Sequence, residues 1–404
     1  MNETGLSELL HDATEDLPAR DLVASAWAQG RVVRRRRRAG VVAGVVALVA
    51  TAVAVPMVVA GGGSSGRPEP APPAATSPST EDEVGVATLP VWDPFTLADA
   101  PRGESVLPEV VAPPERLPPD VLDNPLPAAV LAWPEEGRDL MLLGTDGEWR
   151  CVPGTADAVT GTLDDVLRPS LSSDGHRVAM ATNDGVLVVD VTEGTQQLLP
   201  WPDEIAAPSD TIPDVAWMPG EQTVLVHHWK GGWLLGLDGS AAPAPYDAAY
   251  PPPFVDPDGP VRQHLFDDRL LVEWDGDRRV DEVPTDWWGE RYATRFGLVG
   301  FTGAVGGRRA GPVVVSADDA RVVAYAPTRD RASVYSDNGY LSVIGFLDPS
   351  TALIKVAPMS FRTMDLGEET WHLVAWDFES GEFSTLTQGA TGMRRISVAV
   401  DAVR

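Results

Sequence analysis

The sequence predicts an all-β domain built as a β-propeller of six blades, preceded by a single transmembrane helix and a short cytoplasmic helical segment. Three observations carry that expectation. An uncharged apolar segment follows a run of arginines, a Pro/Gly/Ser-rich stretch comes next, and a turn-and-strand pattern then recurs to residue 404. Hydrophobic residues make up 44% and charged residues 22% of the 404, the balance of a folded protein with ample material for a core.

Residues 1–38 form the cytoplasmic segment. Leu6, Leu9 and Leu10 fall at helical spacing, as do Leu22, Val23 and Trp27, with Pro18 near the start of a second helix. The segment ends in a cationic stop made of Arg31, Arg34, Arg35, Arg36, Arg37 and Arg38. Residues 39–60, "AGVVAGVVALVATAVAVPMVVA", contain no charge. At about 1.5 Å per residue a helix over them reaches roughly 33 Å, enough to cross the hydrocarbon core of a bilayer. Arginines on its N-terminal side place residues 1–38 inside and the remainder outside the cell membrane. A cleaved signal peptide is the competing reading, with Ala52-Val53-Ala54 as the cleavage site. Against it stands the charged region before the span, far longer than a signal peptide needs. No twin-arginine consensus follows the arginines either.

Residues 61–127 read as a linker, flexible where Gly and Ser dominate and extended where Pro does. Within it "GVATLPVWDPF" (85–95) is apolar enough to pack on the domain or donate a strand. Gly62, Ser64 and Gly66 match G-x-S-x-G, a motif that works only on a strand-to-helix turn and is chance in such a stretch.

Residues 128–404 read as all-β, because short Val-, Leu- and aromatic-rich runs alternate with Gly, Pro, Asp and Asn turns. One recurring element is an apolar run ending in Asp, a Gly turn and a polar strand. It appears at 140–153, 186–200, 233–245, 270–284 and 372–387. A tight acidic or Pro/Gly turn followed by an apolar strand is the other, at 133–143, 172–181, 218–226, 256–266, 316–325 and 347–356. Its copies are separated by 39, 46, 38, 60 and 31 residues, centred on the length of a four-stranded blade. Six units follow, or seven if "FGLVGFTGAVGG" (296–307) conceals a degenerate one. The alternating apolar residues of "RRISVAVDAVR" (394–404) suit the strand that ties the last blade to the first.

These units resemble the WD-repeat and TolB-like β-propellers. Ser172-Ser173-Asp174-Gly175 is similar to the S-P-D-G turn of TolB-like blades, and Trp274-Asp275 and Trp376-Asp377 are WD dipeptides at strand ends. The matching Gly-His partners are mostly missing. The resemblance covers about two thirds of the chain and implies a fold, since propellers serve as binding modules and enzymes alike. The whole layout also looks like membrane proteins common in high-GC Gram-positive (actinobacterial) species.

A net charge of −28 disfavours nucleic acid as a partner, since such binding needs a basic surface. Cys151 stands alone, which excludes an intramolecular disulfide and a thiolate metal cluster, and it lies too far on to be a lipobox cysteine. His227 and His228 point to opposite faces of a strand, so no metal or other cofactor is expected from them. Asp256-Pro257-Asp258 is a turn before it is a calcium site, and His176 bonds within its own blade. No catalytic residue is assigned. The candidate ligand contacts are aromatic: Trp287, Trp288, Arg291 and Tyr292 in an inter-blade loop, and Trp229 and Trp233 flanking Gly231-Gly232 at a hairpin tip. The alternative for these aromatics is that they wedge between blades.

The expectation for function is therefore a membrane-anchored extracytoplasmic propeller. It would act as a binding, sensor or protein-interaction module, with the lipid bilayer and a protein or other envelope component as partners. A propeller hydrolase of envelope glycans or lactones, and a structural envelope protein, are the alternatives.

Overall fold

The computed structural model describes residues 100–404 apart from 136, 160–168, 206–212, 229–230, 247–252, 266, 306–309, 329–340, 357–370 and 391–395; the side chains of His228, Trp288, Glu290 and Arg291 are also outside it. The cationic stop, the apolar segment 39–60 and the 85–95 stretch thus lie outside the described residues, among which no helix is long and apolar enough to cross a membrane.

A short strand β1 (Val110–Val111) precedes the blades. The first blade holds β2 (Ala129–Trp133), β3 (Leu140–Gly144) and β4 (Trp149–Val152), and the second β5 (Pro169–Leu171), β6 (Arg177–Ala181), β7 (Gly185–Asp190) and β8 (Thr195–Pro200). In the third come β9 (Asp214–Trp217), β10 (Thr223–His228), β11 (Gly231–Gly236) and β12 (Ala241–Pro243). The fourth has β13 (Phe254–Val255), β14 (Val261–Leu265), β15 (Leu270–Asp275) and β16 (Arg278–Pro284). The fifth has β17 (Trp287–Arg295), β18 (Leu298–Val305), β19 (Gly311–Ser316) and β20 (Val322–Tyr325). Last come β21 (Leu341–Asp348), β22 (Thr351–Val356), β23 (His372–Asp377) and β24 (Glu382–Gly389), then β25 (Ser397–Val398) and a single 3-10 turn at Val400–Ala402.

Each blade is an antiparallel meander, and the first strands of successive blades touch one another around a common axis. The first blade takes its innermost strand from the other end of the chain: β25 pairs antiparallel with β2, Leu131 opposite Val398 and Ala132 opposite Ser397. Within the 394–404 segment, Ser397 and Val398 thus supply the clasp strand. A seventh blade is not needed, because residues 298–305 form β18, the second strand of the fifth blade.

Burial explains the strand chemistry. β2 (AVLAW) and β3 (LMLLG) are buried along their whole length because a blade packs on both faces, whereas the outer strand β16 (RRVDEVP) is almost wholly exposed. The apolar clusters lie between blades. Ala179, Val188, Val224 and Val226 join the second and third, while Val314, Phe346, Ile354 and Trp376 join the fifth and sixth. Both WD dipeptides end third strands, β15 and β23, with the Trp buried.

Most aspartates of the repeat are turn acceptors. Asp190 Oδ1 accepts from the Thr192 amide (3.1 Å) and hydroxyl (2.7 Å), and Asp238 Oδ1 from the Ser240 amide (2.9 Å) and hydroxyl (2.6 Å). Asp348 Oδ1 does the same with Ser350, and Asp377 Oδ1 takes the amides of Glu379 and Ser380. In the second blade Asp174 Oδ1 accepts from Ser172 Oγ (2.7 Å) and the His176 amide (2.9 Å). Its other oxygen lies 3.0 Å from His176 Nδ1, so that imidazole does bond within its own blade. Such side-chain-to-backbone bonds set the turn and leave these carboxylates committed to it.

Residues 101–127 are not only a spacer. Val110 and Val111 pair in parallel with Gln388 and Gly389, adding a fifth strand to the last blade, and Asp120 bridges Cys151 on the outer edge of the first. Leu107, Val111, Val121 and Leu126 are all 2% exposed or less, so apolar burial holds this proline-rich segment down.

Candidate functional site

In a meander the turns joining strands one to two and three to four leave one face of the ring, and the remaining connections leave the other. The first face is closed. Its joints are short, such as Arg295 to Leu298 and Asp348 to Thr351, and it is laced from blade to blade. Ser173 donates its amide to Glu221 Oε1 (3.1 Å), and Arg177 Nη1 reaches the Glu221 carbonyl (2.8 Å), tying the second blade to the third. Burial first, then the Asp174 charge, pushes the Glu221 carboxyl above its ordinary range. Arg295 of the fifth blade pairs with Asp258 of the fourth (3.2 Å) and with Asp401 of the C-terminal turn. The Asp401 amide bonds the Ser173 carbonyl (2.9 Å), and Arg404 Nη1 lies 2.7 Å from Asp348 of the last blade. Asp256-Pro257-Asp258 is part of this face as a turn, with the Asp258 amide on Asp256 Oδ1 (3.1 Å).

The other face is open in its covalent plan. From it leave the connections between Val152 and Pro169, Pro200 and Asp214, Pro243 and Phe254, Tyr325 and Leu341, and Val356 and His372. Long connections on a rigid scaffold are where propellers and other folds carry variable chemistry. Asp184, Asp214 and Asp286 are exposed at the described rim of this face.

Beneath that rim, between the fourth and fifth blades, lies a polar and aromatic joint. Strand β14 carries Arg262, Gln263 and His264, buried where the equivalent strands of other blades are apolar. His264, 1% exposed, stacks on Trp287 with centroids 4.6 Å apart and planes 25° apart. Its Nε2 is 3.0 Å from Thr285 Oγ1 and its Nδ1 3.0 Å from the Tyr292 hydroxyl. That hydroxyl donates to the Gly289 carbonyl (2.8 Å), so it accepts from Nδ1–H, and Thr285 donates to Nε2. Burial lowers the His264 pKa to about 4, so the ring is neutral in ordinary conditions. Two residues back along the strand, Arg262 donates to Thr294 Oγ1 (3.0 Å) and pairs with Glu273 (2.7 Å).

The structure therefore corrects part of the aromatic reading. Trp287 and Trp288 belong to strand β17, not to an inter-blade loop, because the connection from β16 is only Thr285-Asp286. Trp287 is 2% exposed between His264 and Phe301, which makes it an inter-blade wedge rather than a surface contact. Tyr292 is half-buried in the same cluster, stacked on Phe254 at 5.0 Å. Trp233 is in β11 opposite Val226, half-buried against the cluster joining the second and third blades. Trp229 and the side chains of Trp288 and Arg291 fall outside the described residues. Arg262, Glu273, Thr285 and His264 carry no sequence motif. Three consecutive polar residues in one blade's second strand are their only signal, visible once the blades are aligned in phase.

Six sheets around one axis, closed by pairing of β25 with β2, define a six-bladed β-propeller. No family model and no curated protein matches the sequence. Among solved structures the chain is similar to TolB from Acinetobacter baumannii, at 12% identity and a TM-score of 0.44, covering 67% of this chain and 66% of that one. It is also similar to an oligogalacturonate lyase in complex with manganese (12% identity, TM-score 0.40, covering 64% of this chain and 74% of that one). A third is a gluconolactonase from Xanthomonas campestris (15%, TM-score 0.34, covering 63% and 95%). At such identities a likeness concerns the fold, and the propeller assignment here rests on the sheet order itself.

Proposed function

We propose that this chain is a membrane-anchored, extracytoplasmic propeller that binds a protein or another envelope component through its open face. The observation that carries this reading is the asymmetry of the two faces. One is tied by short turns, the Arg295–Asp258–Asp401 lacing and the C-terminal turn; at the other the strands are joined by connections longer in sequence. A ring that concentrates its longer connections on one side is a scaffold for recognition. Support for the anchor comes from the uncharged segment 39–60 behind Arg34 to Arg38, which orients the propeller outward.

Protease added to intact protoplasts tests the orientation: it removes the propeller and spares the N-terminal segment. Protection of the propeller contradicts it. Purified propeller that turns over envelope glycans or lactones would replace the binding role with the hydrolase one.

A further inference from the structure

The proline-rich segment before the blades does more than cover an edge. Arg102 bridges Thr385, and the Gly103 amide bonds the Thr385 carbonyl at 3.0 Å. The chain then leaves β24 and returns at Pro108, whose carbonyl accepts from Thr387 Oγ1 at 2.6 Å, before Val110 pairs opposite Gln388. Its excursion enters the seam between the last and first blades. There the Val106 amide and the Ser105 hydroxyl both donate to the Val403 carbonyl, at 2.9 and 3.1 Å. Leu107 enters the cluster of Leu131 and Met141 from the first blade, Leu353 and Leu373 from the last, and Val403 from the clasp. Farther on, the Val121 amide donates to the Cys151 carbonyl and the Cys151 amide to the Pro119 carbonyl, while Cys151 Sγ donates to the Pro118 carbonyl at 3.2 Å.

We propose that residues 101–121 are a releasable latch on the ring, coupled to the C-terminal clasp, so that its departure unseats β25 and opens the seam between the first and last blades. Two features favour release as a unit. Its regular pairing is one two-residue parallel strand flanked by bridges, in a segment where Pro101, Pro108, Pro113, Pro114, Pro118 and Pro119 remove amide donors. It also leaves Val106, Val110 and Leu117 exposed at 41%, 48% and 56%, so its apolar hold rests on Leu107, Val111 and Val121. Segments with few buried contacts open below the free energy of global unfolding. The coupling of latch to clasp does not depend on the membrane anchor proposed above.

Cys151 reports the latch directly, because it is the chain's one cysteine and is buried beneath residues 118–121. The test is thiol labelling of the full-length chain with a soluble maleimide, read beside amide hydrogen exchange. Leu107→Ser is expected to raise Cys151 labelling and exchange at 397–403 together, each at least tenfold, while exchange in β10 and β11 is unchanged. Unchanged labelling overturns the proposal, as does faster labelling with the clasp still protected, or acceleration everywhere. The wild-type chain provides a second measurement should the variant fold poorly. In rising urea, Cys151 and residues 397–403 should become accessible together, ahead of β10 and β11; separate openings count against the latch. A failed latch leaves the protoplast result untouched.

Discussion

His264 gives the sharpest handle on the joint between the fourth and fifth blades. The ring is 1% exposed and its pKa falls to about 4 through burial, against an ordinary 6.5. Between those values the unfolded chain binds the proton that the folded one refuses. The contribution is therefore complete above pH 6.5 and is lost as the pH falls toward 4. At about 1.36 kcal/mol per pKa unit the full loss is roughly 3 kcal/mol, about 2 kcal/mol of it between pH 7 and pH 5. His372, also lowered by burial, adds a loss of the same sign, so the contribution of His264 must be isolated by difference. His264→Gln keeps a polar group beside Thr285 and Tyr292 but does not titrate. Urea unfolding of both proteins at pH 7 and pH 5 should show a pH dependence weaker by about 2 kcal/mol in the variant. The variant is expected to be the less stable at pH 7, from imperfect stacking on Trp287. Equal slopes in the two proteins would refute the account of His264 as a buried neutral ring.

Other residues yield separate expectations. Burial works to raise the Asp348 carboxyl, but bonds from the Ser350 amide, Thr351, Arg404 and the Ser350 hydroxyl outweigh it and hold the group at about 2. Asp348→Asn should cost about 1 kcal/mol at neutral pH, and the difference should fade as the pH drops from about 4 toward 2, as acid-titrated unfolding would show. Phe296 and Gly297 form the two-residue turn between β17 and β18 with φ of 57° and 72°, a geometry that favours Asn-Gly. Phe296→Asn relieves the left-handed strain while losing the Arg295 contact over the ring at 4.9 Å. A net gain of about 0.5–1 kcal/mol should raise the denaturant midpoint. Trp376 is fully buried and stacked on Phe383 at 5.7 Å, so Trp376→Ala should destabilise by about 3–5 kcal/mol in the same assay.

Strand chemistry made much of this fold legible in the sequence. Every apolar run ending in Asp before a Gly turn proved to be a third strand leading into a fourth, Trp274-Asp275 and Trp376-Asp377 among them. The other element was less reliable. "WPEEG" joins β2 to β3 and "SADDA" joins β19 to β20, whereas the remaining copies join first to second strands. The reason is physical: short acidic or Pro/Gly turns suit any antiparallel joint, so turn residues alone do not fix the phase. That ambiguity produced the 60-residue interval and the notion of a hidden blade at 296–307. The latch was illegible because its composition is that of a linker, and only Leu107, Val111 and Val121, with no periodic spacing, mark its burial. The polar joint was hidden for a related reason. Arg262 and His264 find Glu273, Thr285, Thr294 and Tyr292 from 11 to 32 positions away in sequence, across strands and blades.

The claim that partners dock on the open face is tested most directly by site-specific photo-crosslinking in living cells. One set of positions is Asp184 and Asp286, exposed on the open face; the other is Glu193, Asp238 and Asp277, exposed on the closed one. One envelope component should be captured from the open-face positions and not from the closed-face ones. Capture only from the closed face, or from neither, would contradict it.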